Sequence, residues 1–469
     1  MEEKKITLEA LEKLSIRERQ QFLGQGYALG VVKYDEDEKI AEEIKDINYY
    51  IYVAAQEVLQ ETKGWKPIVN YRKYIEGRED RLLEVKRVYE AGLRWSLSYF
   101  ETIYKRLGTK FDGYYPESWV GEYGMKMVEK GLSMGILEKS EGTVIYRGEQ
   151  DGLHTRVFVN KLGLPTYETK DLGLAQAKYQ DFKYDLSINV FGKEIDEYYK
   201  VVKGALKKIE PTLGEKSYHI PHGMVKLPEG KMSSRTGTVI TFEWLLDEAK
   251  KYVLEIMKKS DKDTSGVTRL PAGEAGRGSP NGGGIKETDN IAVAVALGAI
   301  RYALLKNSPE NDVVFDFGKS VSFEGDSGPY LQYTYTRCRS VLRKASQGNT
   351  SGEGIGELTL NPEELSLLRA LYRFPEVVSE AARTLSPNLV CSFLFDLAQK
   401  YNLFYNKHSI LSPKDTSDGG RQAQSARHDS SEVEKSEEVR SFRLFLTSAT
   451  AQVIQKGLFL LGINTVERM

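Results

Sequence analysis

Residues Gly230 to Gly237 read GKMSSRTG and place two cations, Lys231 and Arg235, around two adjacent hydroxyls, Ser233 and Ser234. Glycine on both sides lets the backbone move and approach a ligand closely, and an ammonium beside hydroxyls offers donors to a polyphosphate. A mobile cation there stabilises charge as it develops on a leaving pyrophosphate more than it stabilises the bound ground state. The residue types leave a second reading open, a solvated turn carrying a salt-bridged lysine.

The rest of the chain bounds what such a loop could serve. Its 469 residues, 40% of them hydrophobic, make an ordinary packed protein of roughly three domains or fewer. No stretch approaches the roughly 18 uninterrupted apolar residues of a membrane helix. Cys338 and Cys391 form neither a disulfide framework nor a metal-ligand spacing, and read as core residues. With 66 basic and 67 acidic residues the net charge is -1, so a polyanion has to be met by a local patch.

Composition marks the organisation. Residues 1–261 mix helical periodicity, as in Leu82–Leu107, with strand-length runs at Thr143–Tyr146, Arg156–Val159 and Leu186–Phe191. Such alternation predicts an α/β layer architecture. Residues 262–290, with GEAGRGSPNGGG, predict a flexible linker. Residues 291–469 predict an all-α bundle: Asp289 or Asn290 as a cap, the pairs Asn361-Pro362 and Ser386-Pro387 as helix starts, a last helix from about Ser441 with Gly457 as its stop, and disordered insertions near 345–357 and 412–438.

LPEGKMSSRTG resembles the second signature loop of class I aminoacyl-tRNA synthetases, in its arginyl-tRNA synthetase variant. FDGYYPES (111–118), LPTYETKDLGLA (164–175), SFEGDSGPYLQYTYTRCRSVLRKA (322–345), YNLFYN (401–406) and GLFLLGINTVERM (457–469) are similar to stretches of the same family, in the family's order. The resemblance implies a Rossmann-like class I catalytic domain followed by a helical anticodon-binding domain. It implies arginine-tRNA ligase activity, in which ATP, with Mg²⁺, activates arginine to an adenylate that is passed to tRNA(Arg). It gives the charge of the clamp to Lys231, helped by Arg235 and the two serines, since Ser234 stands where many class I enzymes have a second lysine. It also implies a cytoplasmic location, in keeping with the charged Met1–Lys5.

Carried over from the family, Tyr167 and Asp171 contact the substrate arginine, and Glu194 completes its pocket. A guanidinium wants a carboxylate, and a tyrosine ring offers a face for the cation; read without the family, the pair is rather a buried Tyr and an Asp near a helix start. In the anticodon-binding domain, Ser327–Ala345 holds Arg337, Arg339, Arg343 and Lys344, with no acid, among Tyr330, Tyr333 and Tyr335. Arginines neutralise phosphates and tyrosines stack on splayed bases, so Tyr330, Tyr335, Arg337, Arg339 and Arg343 are the expected tRNA contacts, with at least one of the three tyrosines buried.

One family feature is missing. No His-x-Gly-His occurs in the 469 residues, and the only close histidine pair, His219 and His222 in HIPHG, reads as the strand and turn before the clamp loop. Leu23–Tyr52 resembles family sequence that follows that first signature. The expectation is a chain that starts partway through the catalytic domain, not competent alone, completed by a lost gene start or by a separate N-terminal polypeptide. The alternatives are a non-catalytic, synthetase-derived tRNA-binding protein and a nucleotidyl-transferring enzyme acting on a small molecule, the latter disfavoured by the long helical body.

Overall fold

The computed structural model describes residues 6–64, 67, 69–228, 241–262, 283–345, 358–411 and 430–468. Contacts divide these into two units, one running to His222 and the other starting at Gly223.

The first unit opens with helices α1 (Leu8–Glu12), α2 (Ile16–Glu36), α3 (Glu38–Lys63) and α4 (Leu82–Leu107). Ser15 and Glu18 close a capping box on α2, and Gly64 and Gly108, both left-handed, end α3 and α4. Then come α5 (Glu117–Ser133), an antiparallel sheet of β1 (Glu138–Ser140), β2 (Thr143–Tyr146) and β3 (Arg156–Val159), and α6 (Tyr167–Asp181). A parallel pair follows, β4 (Ser187–Gly192) and β5 (Ser217–His222), joined through α7 (Asp196–Ile209) and α8 (Pro211–Lys216). Parallel pairing requires such a helical crossover. Phe158, Leu172, Val201, Val202 and Leu206 centre the core between these elements.

Two glycines set how closely α5 and α6 approach. A Cβ on Gly124 would strike the carbonyl of Thr169, and one on Gly173 would strike that of Val120 and come within 2.5 Å of the Gly124 nitrogen. Only residues without side chains allow this backbone contact, which holds the first turns of α6 in place.

In the β4–β5 pair, Ser187, Asn189 and Ser217 face inward, whereas Ile188 and Val190 on β4 and Tyr218 on β5 are 39%, 60% and 46% exposed. Parallel sheets ordinarily bury both faces.

The second unit contains β6 (Val225–Lys226), α9 (Phe242–Lys262), α10 (Gly283–Leu305), β7 (Val313–Val314), α11 (Phe317–Ser320), α12 (Gly328–Lys344), α13 (Pro362–Thr384), α14 (Asn388–Lys407) and α15 (Ser430–Leu460). β6 pairs with β7, and Leu246, Ala249 and Val253 of α9 pack on Ala292, Val295, Ala296 and Ala299 of α10. By contacts, therefore, α9 groups with the helices that follow it, although the expected boundary lay at 261. Residues Glu287–Leu305 are long and apolar enough to cross a membrane by length and composition, but this stretch of α10 is a core helix whose small side chains pack against α9. A second core joins α12, α13, α14 and α15 through Leu331, Leu367, Leu394, Tyr401 and Leu458.

Several expected boundaries shift. Residues 283–290, expected as linker, are the first turns of α10, where Asp289 pairs with Lys250 of α9 at 2.5 Å, so neither Asp289 nor Asn290 caps the helix. Residues 430–438, expected within an insertion, begin α15, whose run SSEVEKSEE is polar yet rich in good helix formers. Gly457 lies inside α15, packed on Leu394; the left-handed Gly462 follows the helix end instead. Asn361 caps α13 as expected, completing a capping box with Glu364.

Candidate functional site

The first cluster is built on α6. Its N-terminal turn carries Tyr167, 66% exposed, and one turn on is the partly buried Asp171. Tyr198, from the first turns of α7, donates its hydroxyl to the Asp171 carboxylate at 2.6 Å. Burial, then the nearby carboxylates Glu168 and Glu117, push the Asp171 carboxyl above its usual range against the pull of the Tyr198 hydrogen bond and of Lys178. Tyr198 in turn is pushed up by burial and by Asp171. Arg156 of β3 lies 3.7 Å from Glu168 and 5.7 Å from the Tyr198 ring centre. Lys170 donates to Glu117 at 2.6 Å and stands 5.0 Å from the Tyr167 ring centre. Three carboxylates, Asp171, Glu168 and Glu117, thus lie near one another with the cations Lys178, Arg156 and Lys170 beside them, and of the three it is Asp171 whose charged form burial disfavours.

Behind Asp171, a cavity of about 10 Å³ is lined by Lys178, Ser187, Asn189, Tyr199 and Ser217, room for one water. Lys178 donates to Ser187 at 2.8 Å and to Asn189 at 3.2 Å, and burial lowers its pKa. On the other side, a cavity of about 20 Å³ lies between Tyr52, Gln56, Glu117 and Glu122, with Gln56 donating to Glu122 at 2.6 Å.

Glu194 sits exposed in a 3-10 turn ahead of α7, folded back over Gly192. His219 and His222 lie on β5, where the His219 ring stands with Nδ1 3.0 Å from Asp196. Lys231, Ser233, Ser234 and Arg235 fall outside the described residues.

The second cluster lies on α12 and has two sides. Arg337 sits between the rings of Tyr333 and Tyr405, 4.8 Å and 5.1 Å from their centres, and donates to Asn402 at 2.5 Å. Asn402 also donates to the Tyr330 hydroxyl at 2.8 Å. On the other side Tyr335 is 2% exposed and donates to Glu467 at 2.7 Å, so its ring belongs to the core and is not open to a base. Arg339 donates to the same carboxylate at 2.9 Å, and the exposed Arg343 to the Glu467 carbonyl at 3.0 Å. The five expected contacts therefore share a helix but not a face.

Sequence reasoning assigned no role to Tyr198, Glu168, Glu117 or Lys178. Glu117 stands within FDGYYPES and Tyr198 one turn beyond Glu194, but only the packing of α5 and α7 on α6 reveals their proximity to Asp171.

The sequence profile described as "tRNA synthetases class I (R), catalytic domain" matches residues 8–317. The chain belongs to the arginyl-tRNA synthetase family. The DALR anticodon binding domain profile matches residues 331–469, completing a class I catalytic domain followed by a helical domain. An arginine–tRNA ligase of Porphyromonas gingivalis is 32% identical over 400 residues, covering 82% of this chain and 61% of the relative. One of Flavobacterium psychrophilum is 31% identical over 422 residues, covering 89% and 61%. The chain thus spans about three fifths of the length of these curated relatives. Arginyl-tRNA synthetases of Thermus thermophilus (TM-score 0.62, 22% identity, 90% of this chain and 74% of that one) and Plasmodium falciparum (0.63, 16%, 90% and 68%) share the fold.

Proposed function

We propose that this arginyl-tRNA synthetase family member takes part in arginine–tRNA ligation: arginine and ATP, the latter as its Mg²⁺ complex, form arginyl adenylate and pyrophosphate, and the arginyl group passes to a ribose hydroxyl of tRNA(Arg), in the cytoplasm. The observation that carries the reading is the Asp171 carboxylate, held by Tyr198 at 2.6 Å amid Glu117 and Glu168. A partly buried carboxylate beside an exposed tyrosine ring suits a guanidinium, which takes a bidentate carboxylate on one side and an aromatic face on another. Tyr167 is the candidate for that face. Glu194, exposed on the turn before α7, is a candidate for the amino-acid end of the substrate. Lys231, helped by Ser233, Ser234 and Arg235, is the candidate for charge developing on pyrophosphate.

Adenylate formation on this reading needs the first-signature chemistry that these 469 residues lack, whether from the same polypeptide or a separate one. The exposed apolar face of β4 and β5, with Ile188, Val190 and Tyr218, is where a covering layer fits. A second reading, resting on the helical domain that the DALR anticodon binding domain profile matches, is a tRNA-binding protein without ligase activity.

Titration calorimetry with arginine, and arginine-dependent ATP–pyrophosphate exchange with the first-signature segment supplied, separate the two. D171N should weaken arginine roughly 10- to 150-fold, the range for losing a hydrogen bond to a charged group. K231A should slow exchange far more than it weakens arginine. Wild-type binding of tRNA with neither arginine binding nor exchange would establish the second reading.

A further inference from the structure

Beyond α15 the chain runs back along α12 as an extended segment. Gln332 donates to the Asn464 carbonyl at 2.7 Å and Thr336 to the Val466 carbonyl at 2.9 Å, both from buried side chains. Arg339 and Arg343 continue the same stripe, since spacings of four, three and four residues keep one helix face. Backbone carbonyls occupy the first half of the stripe. At the second half the segment presents a carboxylate, Glu467, to Tyr335 at 2.7 Å and to Arg339 at 2.9 Å, with Arg343 alongside.

The two halves differ in strength. The Gln332 and Thr336 bonds are shielded, so breaking them exposes or strands polar groups. The Arg339–Glu467 pair is at the surface, its side chains 41% and 56% exposed, in the class of ion pairs that contribute little. Glu467 can therefore leave its partners while the segment stays anchored at 464 and 466. What it vacates is a position made by the Tyr335 hydroxyl and the Arg339 guanidinium, with Arg343, bonded to the Glu467 carbonyl, next to it; a phosphate oxygen satisfies those donors at least as well as a carboxylate.

We infer that Glu467 is an internal stand-in for an RNA phosphate: a phosphodiester of a bound, folded RNA displaces its carboxylate from Tyr335 and Arg339 and adds Arg343. This rests on the tRNA-binding part of the proposed function and gives that surface a definite anion position. Glu467 thereby sets affinity as a competitor, whereas Arg339 and Arg343 are the contacts.

The test is a double-mutant cycle in the full chain, with fluorescently labelled tRNA(Arg) transcript titrated across a potassium chloride series. E467Q keeps the shape and some hydrogen bonding of the segment while removing the competing charge. It should tighten tRNA binding roughly two- to five-fold, the worth of one surface ion pair. R339Q should weaken binding and reduce the slope of log K against log salt by about 0.7 to 0.9, one phosphate contact. In the R339Q background the gain from E467Q should vanish. Melting curves report whether each variant is folded. The same cycle with inorganic tripolyphosphate, followed by the ¹⁵N signal of Arg339 Nε, reads the anion position without RNA. Absence of a gain with both probes, or a gain that survives R339Q, overturns the inference. A gain with tripolyphosphate, in a protein that binds no tRNA, refutes the RNA reading while leaving the exchange at Glu467 standing.

Discussion

At the scale of residues, Asp171 is the group on which the proposed arginine binding turns, and opposing influences act on its charge. Burial and two neighbouring carboxylates favour its neutral form; the Tyr198 hydroxyl, and Lys178 behind it, favour the ion. A guanidinium needs the ion. Because the folded-state pKa is raised, arginine affinity should hold at neutral and alkaline pH and fall as pH drops through a value above that of an ordinary Asp. Arginine-free stability should go the other way, since ionised Asp171 is the costly form in the fold and protonation relieves it. Y198F removes a hydrogen bond to the ion and should move the acid limb of arginine binding to higher pH, whereas D171N should flatten it. Calorimetric titrations between pH 5 and 8 would check this. A Y198F limb that coincides with wild type would mean Tyr198 only fills space.

At the scale of elements, the site depends on how deeply α6 seats against α5. Gly173 lies two residues from Asp171, and any side chain there meets the Val120 carbonyl, a backbone group that cannot swing aside. G173A should cost about 1–3 kcal/mol, the usual range for overpacking, and weaken arginine binding by tilting the first turns of α6. Thermal melts with arginine titrations on the same variant would test it; an unchanged melting temperature would show that the two helices part without cost.

Much of the element scale was readable in advance. Leu82–Leu107 is α4, Thr143–Tyr146 is β2 and Arg156–Val159 is β3, each as its periodicity predicted. Local signals were strong there: amphipathic spacing, β-branched runs and adjacent glycines. The misplaced boundaries were those of α10 and α15, where polar, helix-competent stretches resemble loops by composition. Their helical state depends on partners, as with Asp289 and Lys250. Within α12 at least one of the three tyrosines was expected to be buried, but which one was not legible: Tyr335, taken as a tRNA contact, packs inward, while Arg337 sits between rings toward α14. Helical spacing gives the angle between side chains and does not say which angle faces a neighbour.

At the scale of the whole molecule, two units with separate cores should melt separately. The first carries the apolar sheet face of Ile188, Val190 and Tyr218 toward solvent, whereas the second closes around Leu331, Leu394 and Tyr401. Differential scanning calorimetry should therefore show two transitions, the lower belonging to the first unit. G173A should lower that one and leave the upper in place. A single cooperative transition, lowered as a whole by G173A, would show that the units fold as one.

The amino-acid sequence by itself determined the family, the order of a catalytic and a helical domain, and several elements, among them α4, β2 and β3, and it offered Asp171 as the candidate for a cation. These follow from local periodicity and from short motifs whose chemistry is carried by residue type. Only the tertiary structure decided which groups surround Asp171 and which side of α12 is closed by Glu467. Those depend on side chains from distant segments, Tyr198 on Asp171 and Glu467 on Arg339, and burial and electrostatic coupling arise only when packing brings such segments to within hydrogen-bond distance.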